Sequence, residues 1–273
     1  MPLLALPYPI IDPVLIHVGP LPIRWYALAY IAGLILGWLY ARALAGRDSL
    51  WNGTPHPSPR SLDDLLVYCA LGVVLGGRIG YVLFYNFSYY AAHLAEIPAV
   101  WKGGMSFHGG LAGAAVGIYL FARRYELPVL SAFDIGCAVV PIGLFLGRIA
   151  NFIKPELWGR PSDVPWAMVF PDAGPLPRHP SQLYEAGLEG LVLFIALAIA
   201  IRLGALKRPG LVSGIFGIGY GVARITCEFF REPDPQLGFL FGNATMGMLL
   251  SLPLIAIGAV VLIVALRRRP LPA

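Results

Sequence analysis

The stretch AFDIGCAVVPIGLFLGRIANFI, from Ala132 to Ile153, decides the fold. An apolar helix needs about 20 residues to cross about 30 Å of hydrocarbon. This run meets that length with Asp134 and Arg148 as its only charges. Working outward, six more runs of the same kind appear, at about 25–42, 64–86, 107–122, 183–201, 211–230 and 244–266. The 107–122 run is short. The 211–230 run is rich in glycine (Gly214, Gly217, Gly219, Gly221), which in a membrane helix marks close packing. Composition agrees: 58% of the 273 residues are hydrophobic, 13% are charged, and mean hydropathy is +0.71. Ordinary globular chains are about one-quarter charged, so a disordered chain, a coiled coil and a soluble enzyme are excluded. The expectation is an all-α polytopic membrane protein. A single integral membrane domain over 1–273 would hold about seven transmembrane helices and a small extracytoplasmic cap.

The first two dozen residues do not read as a cleavable signal. They lack a basic start, and Pro2, Pro7, Pro9, Pro13, Pro20 and Pro22 forbid a continuous helix. Cys69, Cys137 and Cys227 fall in apolar runs with no C-x-x-C spacing, which points to small buried side chains rather than to a disulfide or a zinc site. The formal charge of +5 does not gather into a nucleic-acid face, and no nucleic-acid partner is expected. Labelling the connections alternately puts Arg42, Arg47, Arg60, Arg123, Arg124, Arg202, Lys207, Arg208, Arg267, Arg268 and Arg269 on one side. Arg24, Lys102, Lys154, Arg160, Arg178 and Arg231 fall on the other. The positive-inside rule places the first set in the cytoplasm, the N-terminus outside and the C-terminus inside. The long outer connections, about 87–106 and 154–182, would form the cap.

Three basic residues are left inside spans: Arg78, Arg148 and Arg224. An arginine at mid-membrane costs about 2.5–3.5 kcal/mol on insertion scales, so such a charge reads as functional by default. At about 1.5 Å per residue they lie about 21, 24 and 20 Å from the inner end, at one depth in the outer half. The guanidinium fork matches phosphate bidentately and stays charged. Arg224 has Glu228 four residues on, on the same face; an internal pair that fixes helix packing and an anion site both stay open. Arg148 has only Asn151 as a same-face polar neighbour, which favours an anionic ligand. Arg78 reads equally as ballast near the outer headgroups. Tyr220 lies one turn before Arg224, and Glu156, Glu185 and Glu189 lie near the outer ends of their spans, where some would pair with arginines.

His108 enters in the segment GGMSFHGG, residues 103–110, where a glycine backbone can approach a ligand closely. Histidine suits proton acceptance near neutral pH; a hydrogen-bonded structural histidine is the lesser alternative. Tyr26 begins an inward span, a place an aromatic belt would also fill. No phosphate-binding G-x-x-x-x-G-K-[ST] loop and no G-x-S-x-G elbow occurs. A transporter would want charges at several depths, whereas the inner halves are apolar apart from Asp134. A pure scaffold would not call for a glycine-flanked histidine at the level of the arginines.

Several blocks are long and unusual. They are GGRIGY (residues 76–81), GGMSFHGG (103–110), GRIANFIKPELWGR (147–160), RHPSQLYE (178–185) and EFFR (228–231). Together, from Trp25-Tyr26 to the last span, they resemble the bacterial phosphatidylglycerol–prolipoprotein diacylglyceryl transferase family. The family's signature ordinarily reads Gly-Arg-x-Gly-Asn-Phe-x-Asn-x-Glu. Here Arg148, Asn151 and Glu156 keep their places, while Ala150 and Lys154 replace a glycine and an asparagine, with Pro155 following. The resemblance implies a seven-span inner-membrane enzyme with its active site toward the periplasm. It would move the diacylglyceryl group of phosphatidylglycerol to the lipobox cysteine of a preprolipoprotein, whose signal-peptide helix lies among the membrane lipids. It also implies importance for Tyr26, His108, Arg148, Asn151, Glu156 and Arg224.

The chemistry fits these residues. A thiol has a pKa near 8.5 and attacks as thiolate, and aimed cations stabilise a departing phosphate. Arg148 and Arg224 would hold the phosphate and Glu228 would orient Arg224. His108 would take the thiol proton. Tyr26, Asn151, Glu156, Arg78 and Tyr220 would bind substrate, and Lys154 would add a phosphate contact. No metal or organic cofactor is expected.

Overall fold

The computed structural model describes residues 6–233, 238–240, 242 and 244–267; Pro2, Arg268 and Arg269 lie outside them. The chain opens with β1 (Leu6–Pro7), then a hairpin of β2 (Val14–Val18) and β3 (Leu21–Arg24). Helices α1 (Trp25–Ala45), α2 (Ser61–Phe84) and the short α3 (Phe87–Ala92) follow. After them come α4 (Phe107–Arg124), α5 (Val129–Ile153) and β4 (Met168–Val169). Helix α6 (Ser181–Glu185) passes through a π-helical turn, Ala186–Val192, into α7 (Leu193–Arg202). Helices α8 (Leu211–Glu228) and α9 (Met246–Arg267) complete the described chain.

Five helical stretches are long and apolar enough to cross a membrane: α1, α2, α5, the continuous Ser181–Arg202 stretch and α9. The two other runs form helices, α4 and α8, but each is only 18 residues long. Charge and glycine dilute their apolarity: Arg123, Arg124 and four glycines in α4, Arg224, Glu228 and four glycines in α8. Both compensate by close packing. Helix α4 lies on α2 with Gly72 facing Gly113 and Gly76 facing Gly109, so near that a side chain at any of the four would strike the opposing backbone. The outward faces of α1, α2 and α9 stay apolar and exposed, through Leu34, Ile35, Leu71, Leu75, Ile257 and Val260. Such a belt is what acyl chains solvate.

The core away from the arginines is packed around Trp51, Phe121, Ile135, Leu197, Leu206 and Val212. Asp134, fully buried on α5, faces the first turn of α8. It accepts from Gly210 N (2.7 Å), Ser213 N (2.7 Å) and Ser213 Oγ (2.6 Å). A carboxylate at a helix N-terminus satisfies orphan N–H groups and opposes the helix dipole. That bond set fixes α8 lengthwise against α5, and Arg224 with it.

At the other end of the helices the connections form an irregular layer. Strand β1 runs parallel to β4, and Gly159 bridges to Arg231. Tyr8 Oη donates to Phe152 O at the end of α5 (2.6 Å) and packs with Phe152 and Phe170. This layer ties the end of α5, the start of α6 and the end of α8 together.

Candidate active site

Arg148 on α5 and Arg224 on α8 converge on the same two glutamates. Arg148 Nε stands 2.7 Å from Glu185 Oε2, and its Nη2 3.5 Å from Glu189 Oε2. Arg224 Nη1 stands 3.5 Å from Glu185 Oε1 and 3.4 Å from Glu189 Oε1, and Nη2 pairs with Glu228. Glu228 also faces Arg231 at 3.6 Å. Glu185 and Glu189 are fully buried. The π-helical turn carrying Glu189 follows Glu185 directly, and such widened turns recur at functional sites. Neither Glu185 oxygen has a donor at hydrogen-bond geometry, so charge alone holds the arginines there.

Arg148 is thus balanced not by its same-face neighbour Asn151 but by two of the acids that the sequence offered as partners for the arginines. Its partners lie on another helix, where face-matching within one helix does not look. The cluster holds Arg148, Arg224 and Arg231 against Glu185, Glu189 and Glu228, three charges of each sign. Nη1 of Arg148 keeps no protein acceptor among the described residues.

Beside the cluster, the end of α5 turns sharply. Asn151 Nδ2 donates to Glu156 Oε1 (2.8 Å), and Lys154 Nζ lies 2.7 Å from Glu156 Oε2. Leu157 takes a φ of 58°, in the left-handed region that costs a branched side chain strain. Gln182 Nε2 holds that turn through Glu156 O (2.7 Å) and Ser181 Oγ through Leu157 O (3.0 Å). The RHPSQLYE block thus fastens the signature loop. Tyr26, in the first turn of α1, lies 3.3 Å from Tyr30 across their hydroxyls, with Lys154 5.8 Å from its ring centroid. Tyr220 stacks on Phe216 one turn before Arg224 and lies within electrostatic reach of Glu189 and Arg224.

Gly247, at the start of α9, presses against the Arg224–Glu228 pair. No site role was expected of it or of Arg231, Gln182 and Leu157, although the last three lie in the blocks that carry the resemblance; only the glycine hints at close approach, and only once α9 is placed.

Two expected residues make no direct contact with the cluster. His108 is exposed in the first turn of α4, edge-on to Phe107. Ser106 caps that helix, its Oγ accepting from Gly109 N (3.1 Å). Arg78 is buried but does not join the cluster. It donates to Glu96 O (2.8 Å), Ile97 O (2.6 Å), Gly103 O (2.6 Å) and Gly104 O (3.2 Å), and lies over the Tyr90 ring. It fastens the 94–106 connection to α2. In the 154–182 connection, Trp166 Nε1 donates to Tyr184 Oη (2.6 Å), which lies 3.1 Å from His179 Nδ1. Partial burial holds the His179 imidazole below its ordinary range. Among the described residues no group of three or more His, Cys, Asp or Glu has the arrangement to hold a metal ion.

The family profile described as prolipoprotein diacylglyceryl transferase matches residues 13–264. A phosphatidylglycerol–prolipoprotein diacylglyceryl transferase of Methylocella silvestris is 69% identical over 266 residues, covering 97% of this chain and 98% of the relative. One of Beijerinckia indica is 67% identical, covering 94% of each chain. One of Bradyrhizobium diazoefficiens is 56% identical, covering 100% of this chain and 99% of its own. With the profile spanning most of the chain and such relatives end to end, the chain belongs to the prolipoprotein diacylglyceryl transferase family.

Proposed function

We propose that this chain transfers the diacylglyceryl group of phosphatidylglycerol to the thiol of the lipobox cysteine in a preprolipoprotein. The sulfur attacks the glycerol carbon that carries the phosphate. The C–S bond forms, the C–O bond breaks, and glycerol phosphate leaves with the bond's electron pair. This is the first step of lipoprotein maturation. The observation that carries it is the meeting of Arg148 and Arg224 on Glu185 and Glu189.

Two fixed guanidiniums in a water-poor site act on the charge that grows on the leaving oxygen. Arg148 Nη1 meets the phosphate, Arg224 stands behind it, and Glu228 orients Arg224. Asn151 and Glu156 shape the loop beside the headgroup, with Tyr26 and Tyr220 on its flanks. His108 accepts the thiol proton from its exposed place on the α4 start, where a peptide helix can reach it. Arg78 acts from a distance, by holding the 94–106 connection. Helices α4 and α8 complete seven spans with the five apolar stretches. The excess of Lys and Arg in one set of connections supports an N-terminus outside, a C-terminus in the cytoplasm and a site toward the periplasmic face of the inner membrane. Phosphatidylglycerol and the signal-peptide helix then both arrive from within the bilayer.

The test uses purified protein, phosphatidylglycerol labelled in its diacylglycerol part, and a lipobox peptide. Label moves to the peptide with the wild-type chain. Arg148→Ala and His108→Gln, at equal protein levels, abolish most of it. Full activity in the first removes the anion clamp, and full activity in the second removes the base.

A further inference from the structure

Helix α8 ends at Glu228, and the last carbonyls of a helix have no donor within it. Here a donor arrives from another part of the chain. Arg160, in the 154–182 connection, donates from Nη2 to Glu228 O (3.0 Å) and from Nε to Arg231 O (2.9 Å). Its backbone N donates to Phe230 O (2.8 Å), and Glu232 N donates to Trp158 O (3.3 Å). Gly159 permits this approach, because a Cβ there would stand 2.5 Å from Phe230 O and 2.6 Å from His179 O. The guanidinium lies over the Phe239 ring, 4.9 Å from its centroid, a contact that helps fix its plane. A cation at a helix C-terminus is also favoured by the helix dipole.

The two carbonyls on this fork belong to members of the buried cluster. One is that of Glu228, whose carboxylate pairs with Arg224, and the other that of Arg231, which faces Glu228. Neighbouring Arg178 crosses the same layer but binds Ala173 O, Gly159 O and Glu232, none of them in the cluster. We propose that Arg160 is a positioning residue for the transfer, setting the backbone of Glu228 and Arg231 and, through Glu228, the aim of Arg224. This rests on the transferase reading and adds to it a residue that touches neither the substrates nor the reacting atoms.

The experiment uses the full chain in nanodiscs with graded phosphatidylglycerol and a lipobox peptide. It compares wild type with Arg160→Gln, Glu228→Gln and the double variant, each with its melting point. Misplacement of a catalytic group by about 1 Å costs about 10²-fold in rate, so Arg160→Gln lowers kcat about tenfold or more while KM for phosphatidylglycerol stays within about twofold. In the Glu228→Gln background the same change costs less than about threefold, because residues acting through one contact do not add. A contact that serves stability alone lowers the melting point, leaves kcat within about twofold of wild type and adds strictly to Glu228→Gln. Either of the last two results overturns the proposal. Hydrogen–deuterium exchange reads the contact without turnover. The amides of Phe230 and Arg231, which donate to Cys227 O, exchange faster in Arg160→Gln. Unchanged exchange there overturns the proposal whatever the rates. A wild type that transfers nothing, with exchange still faster in the variant, refutes the transferase reading and leaves the hold on the end of α8 standing. Where Arg160→Gln does not fold, Arg160→Lys, which keeps the charge but not the fork, is read in the same way.

Discussion

Gly247→Ala tests whether the Arg224–Glu228 geometry sets the rate. An added Cβ at this position would lie 2.5 Å from Glu228 Oε1, 2.7 Å from Glu228 Cδ and 3.2 Å from Arg224 Nε. Carbon–oxygen contacts settle at about 3.3–3.6 Å, so the carboxylate must retreat by roughly 1 Å. It has little room, because Glu228 is buried and also faces Arg231. Overpacking of this kind costs about 1–3 kcal/mol. A displacement near 1 Å in a positioned catalytic group costs about 10²-fold in rate. The expected kcat/KM for diacylglyceryl transfer is therefore 10- to 100-fold down (roughly the same spread as the displacement estimate). Glu228→Asp withdraws the carboxylate by one methylene and also lowers activity when made alone. The double variant Gly247→Ala/Glu228→Asp is then less impaired than the product of the single effects, with a coupling of about 1 kcal/mol or more. Wild-type kcat/KM in Gly247→Ala, or strict additivity in the cycle, refutes the reasoning.

Arg148→Lys keeps the charge but replaces a fork spanning Glu185 and Glu189 with a point charge; kcat in the transfer assay falls about 10²–10³-fold. Arg78→Met removes four bonds to backbone carbonyls in the 94–106 connection, a loss of about 3 kcal/mol or more. Limited proteolysis then cuts that segment sooner, while KM for phosphatidylglycerol stays within twofold; a raised KM with the segment intact would place Arg78 on the lipid instead. The lowered pKa of His179 gives a pH dependence of known sign. The unfolded chain takes the proton first, so stability holds above about pH 6.5 and falls as pH drops from there through the lower folded value. Melting points measured between pH 7.5 and 5 show this fall in wild type and a flatter profile in His179→Asn.

What the sequence made legible follows from what the membrane penalises. The five apolar stretches needed only length and hydropathy, and Arg148 and Arg224 stood out because a buried charge in lipid is expensive. Boundaries moved by a few residues where a polar residue belongs to the helix, as with Ser61 at the start of α2 and Ser181 at the start of α6. The partners of the arginines were harder. Glu185 and Glu189 follow a proline-containing block at the edge of a span, where an acid also reads as a headgroup neighbour. Only the docking of the Ser181–Arg202 stretch between α5 and α8 turns both inward. The acceptors of Arg78 are backbone carbonyls, which any residue provides and no motif encodes. The use of Gly247 depends on where α9 lands.

On the proposed reaction, the charge balance of the cluster bears directly on catalysis. Two bare guanidiniums in a low-dielectric interior would each carry a desolvation penalty of several kcal/mol. Glu185, Glu189 and Glu228 offset that penalty, and they also hold the guanidiniums oriented before any ligand arrives. A phosphodiester entering a formally neutral cluster gains little from net charge, so ground-state binding stays modest. As the C–O bond stretches, negative charge concentrates on the leaving oxygen, close to donors already aimed. The interaction then strengthens in the transition state more than in the resting complex, which is the condition for raising kcat rather than merely lowering KM. A cluster of arginines alone would hold the lipid more tightly and give part of that difference away, so in the proposed mechanism the glutamates belong to the catalytic design as much as the arginines do.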